Sequence, residues 1–217
     1  ADVAVRFSQS EMARLEIAER LQKATSGVVF ALATVVEKRD PYTAGHQHRV
    51  AELAVAVGRE LSLSEDRLEG LRIGAWIHDI GKIGIEDAIL RKPGSLSEME
   101  WNRMQQHPEL GVHILEDIAF PFNVKDVIRH HHERYDGTGY PDGCKGDQTS
   151  LEAYILSAAD AYDAMSSDRP YRSALDRERI TSIFKAEAGG QFEPHVAAVV
   201  YEMLERDMLH YPGKDIT

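Results

Sequence analysis

The chain has 217 residues and a formal net charge of -11, with 36 acidic against 25 basic side chains. A surface this acidic repels polyanions, which argues against non-specific nucleic acid binding. Hydrophobic residues at 43% can fill a sizeable core, yet the longest strongly apolar run, Val28 to Val36, is far short of the roughly 20 residues of a membrane span.

Apolar residues at Met12, Leu15, Ala18, Leu21, Val28, Leu32 and Val35 recur at helical spacing. They predict a helix over 9–37, with a charged amphipathic first half and a second half that enters the core. Asp40-Pro41 ends it. A second helix is expected from about Thr43 to Leu61, burying Val50, Leu53, Ala54, Val57 and Leu61. Ser64 caps a third, carrying Leu68, Leu71, Ala75 and His78, and Gly81 and Gly84 break it. Ser97-Glu98-Met99-Glu100 has the form of a capping box and opens a helix that carries His107. Another helix spans about 124–134, followed by the glycine-rich loop 136–143. Helices near 150–167, 176–188 and 194–207 complete the chain. No strand pair with clean alternation and no repeat period is visible. The expectation is an all-α fold of about seven to eight helices in one compact domain, with residues 1–27 as a connecting or dimerisation helix.

The single cysteine, Cys144, permits no intrachain disulfide, which fits a reducing compartment and a cytoplasmic location. No signal peptide is visible, and the start at Ala1 reads as a piece of a longer protein with an upstream sensory domain. His46, His78, Asp79, His107, His131, His132 and Asp160 lie on or beside predicted helices. Imidazole and carboxylate without thiolate suit iron, manganese, nickel or zinc. Adjacent helical residues point about 100 degrees apart. His78-Asp79 and His131-His132 can therefore each meet one ion together only where a helix is ending, or Asp79 can lean sideways and bridge two ions. His48, His113, His130, His195 and His210 read as ordinary surface or core histidines.

Five blocks in order resemble the HD-GYP subgroup of the HD phosphohydrolase superfamily. They are Asp40-Pro41-Tyr42-Thr43-Ala44-Gly45-His46; His78-Asp79-Ile80-Gly81-Lys82; His107-Pro108-Glu109-Leu110-Gly111; His131 through Pro141; and Asp160-Ala161-Tyr162-Asp163-Ala164-Met165 with Asp168-Arg169-Pro170-Tyr171-Arg172. The resemblance covers about 30–205 and implies a helical bundle with a metal centre in its core, with 28–217 as the catalytic domain. It implies hydrolysis of the bacterial second messenger cyclic di-GMP to linear pGpG, and in some members on to GMP. One metal is implied on His46, His78, Asp79 and Asp160, with Asp79 bridging to a second on His107, His131 and His132; iron or manganese comes ahead of nickel or zinc. A metal-activated hydroxide would attack phosphorus. On that reading His78, Asp79 and Lys82 serve catalysis. Lys82, Gly139, Tyr140, Pro141, Arg169 and Arg172 contact substrate, and Asp163 orients a ligand histidine. Tyr42 stands where some relatives carry a glutamate for a third metal, so two ions are expected. Thr149-Ser150 replaces a common Ile-Pro. The implied partners are a cyclic dinucleotide and, through the first helix, a second copy, with no DNA or RNA polymer. A binding module that senses the dinucleotide without turnover, and a hydrolase of another nucleotide, are the competing readings.

Overall fold

The computed structural model describes residues 2–39, 45–120, 122–168 and 173–209. Among them the chain is helical throughout, and the sole β-type pairing is an isolated bridge between Ala188 and Phe192. Helix α1 runs Asp2–Glu37, α2 His46–Glu60 and α3 Glu65–Ile77. A 3-10 turn at Ile80–Gly84 and a single helical turn, α4 (Asp87–Leu90), follow. Then come α5 (Glu98–Met104), α6 (His107–Ile114) and α7 (Val124–His130). Helices α8 (Leu151–Ser166), α9 (Arg177–Ala186) and α10 (Pro194–Glu205) close the bundle.

Helix α3 carries two apolar stripes, which makes it central. Leu68, Leu71 and Ala75 join a large core with α2, α8, α9 and α10, where Val50, Val57, Ile155, Phe184 and Val200 are fully buried. Ile73 and Ile77 face a second, smaller core with Ala33, Val36, Ile80, Leu115, Val124 and Ile128. Each such aliphatic side chain contributes about 1.5–3 kcal/mol by leaving water, so both cores hold α3 and α7 in fixed register.

Two expectations need correction. The apolar second half of α1 does not enter the core on several sides. Ala33 and Val36 are buried, while Val28, Leu32 and Val35 are 61%, 50% and 58% exposed, because α1 lies along one side of the bundle and meets it along a single stripe. The capping-box helix also does not run on to His107. The box at Ser97 and Glu100 forms as expected, but the helix ends at Met104 and a new one begins at His107 with Pro108 in its first turn. Proline lacks the amide hydrogen that a continuous helix would require there and is at home at a helix start. No described helix is long and apolar enough to cross a membrane.

Candidate metal centre

Five helices bring the candidate side chains together, four of them by their ends. His46 opens α2 and His107 opens α6; His78 and His131 are the residues at which α3 and α7 stop. Asp160 projects from within α8. The two adjacent pairs therefore sit where helices are ending, the geometry that adjacent residues need to face one centre. Gly81 makes this possible. A β-carbon there would collide with the His107 carbonyl and the Gly111 amide, so only glycine lets the turn after His78-Asp79 pack backbone to backbone on α6.

The result is two groups of ligand-type atoms. Those of His46, His78 and Asp79 lie within 4.8 Å of one another, and so do those of His107, His131 and His132. Asp79 stands between the groups, with Oδ2 3.5 Å from His78 Nε2 and Oδ1 3.6 Å from His107 Nε2. Asp160 Oδ1 is 3.3 Å from His46 Nε2. His46, His78, Asp79, His107 and His131 are buried.

The backbone sets the tautomers. Nδ1 of His78, His107 and His131 lies 2.7, 2.9 and 2.7 Å from the carbonyls of Ala75, Met104 and Ile128, each three residues earlier. A carbonyl only accepts, so each Nδ1 carries the proton and each Nε2 presents a lone pair to the centre. His107 Nε2 and His131 Nε2 then face each other at 3.3 Å. Two lone pairs at that separation repel unless a cation lies near both. Protonation is disfavoured as the remedy: burial, aided by neighbouring imidazoles, pushes His131 well below its ordinary value and brings His132 to about 3. Burial, outweighing the pull of Asp79, brings His107 to about 4. This donor set fits a metal ion.

The carboxylates are kept ionised. Burial opposes the charge of Asp79, but Lys82, His78 and His107 hold it well below the usual carboxylate range. Burial likewise opposes the charge of Asp160, and His46 holds it lower still. His46 is the reverse case. Burial lowers it, but hydrogen bonds to Asp160 and Asp163 outweigh burial and raise it to about 10. Asp163 lies 2.7 Å from His46 Nδ1 and also accepts from Arg49 Nε at 2.6 Å, which holds the His46 ring in place.

Lys82 lies at the edge of this cage, on the 3-10 turn that follows His78-Asp79. Its ammonium is 2.8 Å from Asp79 Oδ2, because the glycine-containing segment coils into a 3-10 turn rather than an open loop. Tyr140 stacks on His132 with ring centroids 4.8 Å apart and 28° between planes. Gly139 is required for close approach rather than for a positive φ: a β-carbon there would strike the backbone at His132 and Arg134. His130, next to the pair, faces away and joins Asp126 and Asp142 at 2.9 and 3.1 Å. His48 and His113 pair with Glu52 and Glu116 at the surface, and His195 is exposed beside Glu193. Tyr42, Arg169, Arg172 and His210 lie outside the described residues.

Sequence reasoning missed Glu133. It is fully buried, and its Oε1 accepts from the amides of Asp142 and Gly143 at 2.7 and 3.0 Å, its Oε2 from that of Cys144 at 3.1 Å. Arg129 grips Asp142 from outside at 2.7 and 2.8 Å. Together they anchor the loop bearing Tyr140 directly to the residue after the His131-His132 pair. The available signal was a glutamate beside a glycine-rich loop whose amides lacked an evident acceptor.

Comparisons with known proteins agree with this fold. A family model described as HD domain matches residues 31–196. The chain is 39% identical over 178 residues, 82% of its length, to a 3′3′-cGAMP-specific phosphodiesterase of Vibrio cholerae. It is also 39% identical over 181 residues, again 82% of the chain, to a cyclic di-GMP phosphodiesterase response regulator of Xanthomonas campestris. The chain spans only 38% and 47% of the length of these two relatives. Among solved structures, an HDG"Y"P protein from Bdellovibrio bacteriovorus shares the fold with a TM-score of 0.59 at 21% identity, over 74% of this chain and 51% of the other. The chain belongs to the HD-GYP group of the HD-domain family.

Proposed function

We propose that the chain is a metal-dependent phosphodiesterase that opens cyclic di-GMP to linear pGpG, with further cleavage to GMP as a second step. The observation that carries this reading is the convergence of buried imidazole lone pairs around Asp79, with a tyrosine-bearing loop fastened beside them. On this reading His46, His78, Asp79 and Asp160 hold one ion and His107, His131 and His132 a second, with Asp79 shared. Iron or manganese suits the set ahead of nickel or zinc. When bound, such ions lower the pKa of coordinated water toward neutrality and offset charge on the phosphate.

The rest falls to the chain's own residues. The carbonyls of Ala75, Met104 and Ile128 hold three rings in the tautomer that ligation needs. Lys82 keeps a positive charge at the edge of the cage, where non-bridging phosphate oxygens gather negative charge. Tyr140 and Pro141, placed by Gly139, offer the nucleotide an aromatic and apolar wall. Arg169 and Arg172, outside the described residues, are the guanidinium side chains that we assign to the remaining phosphate contacts. The exposed side chains of Ile17, Leu21, Val28 and Val35 on α1 suit pairing with a second copy that relays a signal from an upstream sensory domain. A cytoplasmic location agrees with the single cysteine.

A second reading of the substrate is favoured by one finding: a relative 39% identical to the chain is named as specific for 3′3′-cGAMP. Purified protein loaded with manganese or ferrous iron should be incubated with each dinucleotide and the products separated by chromatography. Formation of pGpG supports the proposal. Cleavage of 3′3′-cGAMP alone moves the substrate. Binding without product makes the chain a sensor, and inactivity on both alongside cleavage of another nucleotide refutes the reading.

A further inference from the structure

The chain has two tryptophans, and they lead different lives. Trp76 packs in α3 against Phe30 of α1, ring centroids 5.7 Å apart. Trp101 lies on α5, a seven-residue helix with no buried residue, and is 47% exposed. An indole placed there adds little to any core. Its aromatic neighbour is Tyr140: the two rings meet edge to face, centroids 6.3 Å apart and planes at 79°. Tyr140 in turn lies nearly flat on His132. The three rings form a continuous row from the histidine cage to solvent.

The position of Trp101 is fixed relative to the cage. Arg103, two residues on, donates to the Gly84 carbonyl at 3.1 Å and to Glu86 at 3.1 Å, tying α5 to the turn that carries Lys82. The capping box at Ser97 and Glu100 holds its front end, with Lys92 bound to Glu100 at 2.6 Å. The last residue of α5, Met104, supplies the carbonyl that orients His107. A helix short, exposed and fastened at both ends is a poor stability element and a good mount for a side chain that meets a ligand.

We propose that Trp101 is a stacking subsite for a purine base of the bound cyclic dinucleotide, its exposed indole face and the Tyr140 ring forming a corner that receives the base. This rests on the cyclic dinucleotide reading above. Aromatic faces take up bases by stacking, and removing one such ring typically weakens binding by roughly five- to a hundredfold.

The test has two readouts. Titration of the chelator-treated protein with cyclic di-GMP should quench tryptophan emission, and the quenching should vanish in Trp101→Phe, where Trp76 alone emits. In metal-loaded protein, Trp101→Ala should lower kcat/KM for cyclic di-GMP about tenfold or more at unchanged metal content, and Trp101→Phe, which keeps a ring, should lose no more than about threefold. Met99→Ala, an 82% exposed neighbour on the same helix, should behave as wild type. The subsite is refuted if Trp101→Ala matches wild type, if Met99→Ala is equally impaired, or if quenching persists in Trp101→Phe. If wild type neither binds nor cleaves a cyclic dinucleotide, the functional reading falls and the subsite with it; if wild type cleaves and Trp101→Ala is unimpaired, only the subsite falls.

Discussion

Glu133→Gln tests whether the substrate loop is positioned by a single buried carboxylate. In the native chain two carboxylate oxygens accept three amide hydrogens, from Asp142, Gly143 and Cys144. Glutamine has nearly the same shape but one acceptor oxygen. If that oxygen keeps the amides of Asp142 and Gly143, the new NH2 group points at the Cys144 amide, and two donors face each other without water. Stranding one buried donor costs about 1–3 kcal/mol, and the two remaining bonds lose the strength that the charge gave them, so the loop in place is destabilised by about 2–4 kcal/mol. The loop can escape by opening to solvent, so the loss is local rather than global. An opening penalty of about 2 kcal/mol corresponds to roughly 30-fold in equilibrium. Hydrogen exchange should therefore show the amides of 142–144 exchanging some 30-fold faster. The kcat/KM for the cyclic dinucleotide should drop by up to that factor, set by the fraction of chains in which the opened loop takes Tyr140 off His132, while metal content stays near that of wild type. Native protection at these three amides in Glu133→Gln, with native turnover, would refute the reasoning.

Other perturbations probe the frame around the cage. Asp163→Asn removes the charged partner of His46 and Arg49. Metal affinity, measured by competition with a chromophoric chelator, should fall about 10- to 100-fold with the helical spectrum intact, and an unchanged affinity would contradict the orienting role. Gly81→Ala drives a methyl group into the backbone of α6 and should lower stability by more than about 3 kcal/mol in urea titration. Gly27→Ala, where nothing lies within 4 Å, should be neutral or gain up to about 1 kcal/mol; similar losses in both would remove the packing argument. Arg67 binds Glu152 at 2.6 and 2.9 Å and joins α3 to α8. Burial raises the Glu152 carboxyl, but Arg67 outweighs it and the net shift is downward. A carboxyl lowered in the folded state adds stability above its unfolded value, and that stability is lost as pH falls through the folded one. Arg67→Met should thus cost about 1 kcal/mol near neutral pH, the gap from wild type closing as pH drops below about 4.5. A gap that does not change with pH would rule out the ion pair as its source.

Much of the site could be read along the chain because helix chemistry is local. Periodicity announced the helices, and the capping box at Ser97-Glu100 formed as expected. The pair His78-Asp79 could be placed at a helix end from Gly81, whereas the helix expected over about 124–134 runs past His131-His132 and in the structure stops at His130. The side chains that gather around Asp79 were singled out by type, and their grouping into two sets came from the family resemblance. Other features were not legible, because they depend on partners remote in sequence or on the backbone of a fold not yet assembled. A glutamate beside a glycine-rich loop hints at an acceptor, but the sequence does not say that Glu133 will meet the amides of 142–144, since that contact exists only once the loop has turned back. Nothing in α5 reveals that Trp101 will stand beside Tyr140, since the break before His107 swings the helix to that position.

The amino-acid sequence by itself determined the helical class, the chemistry of the donors and the order in which they appear, because these follow from side-chain identity and from contacts three or four residues apart. Tertiary structure alone decided that Asp79 stands between two sets of imidazoles, that His107 and His131 face each other through unprotonated nitrogens, and that Lys82 leans onto Asp79. Those relations are set where α3 and α7 end against α2, α6 and α8, and only the burial of two apolar cores fixes how these helix ends meet.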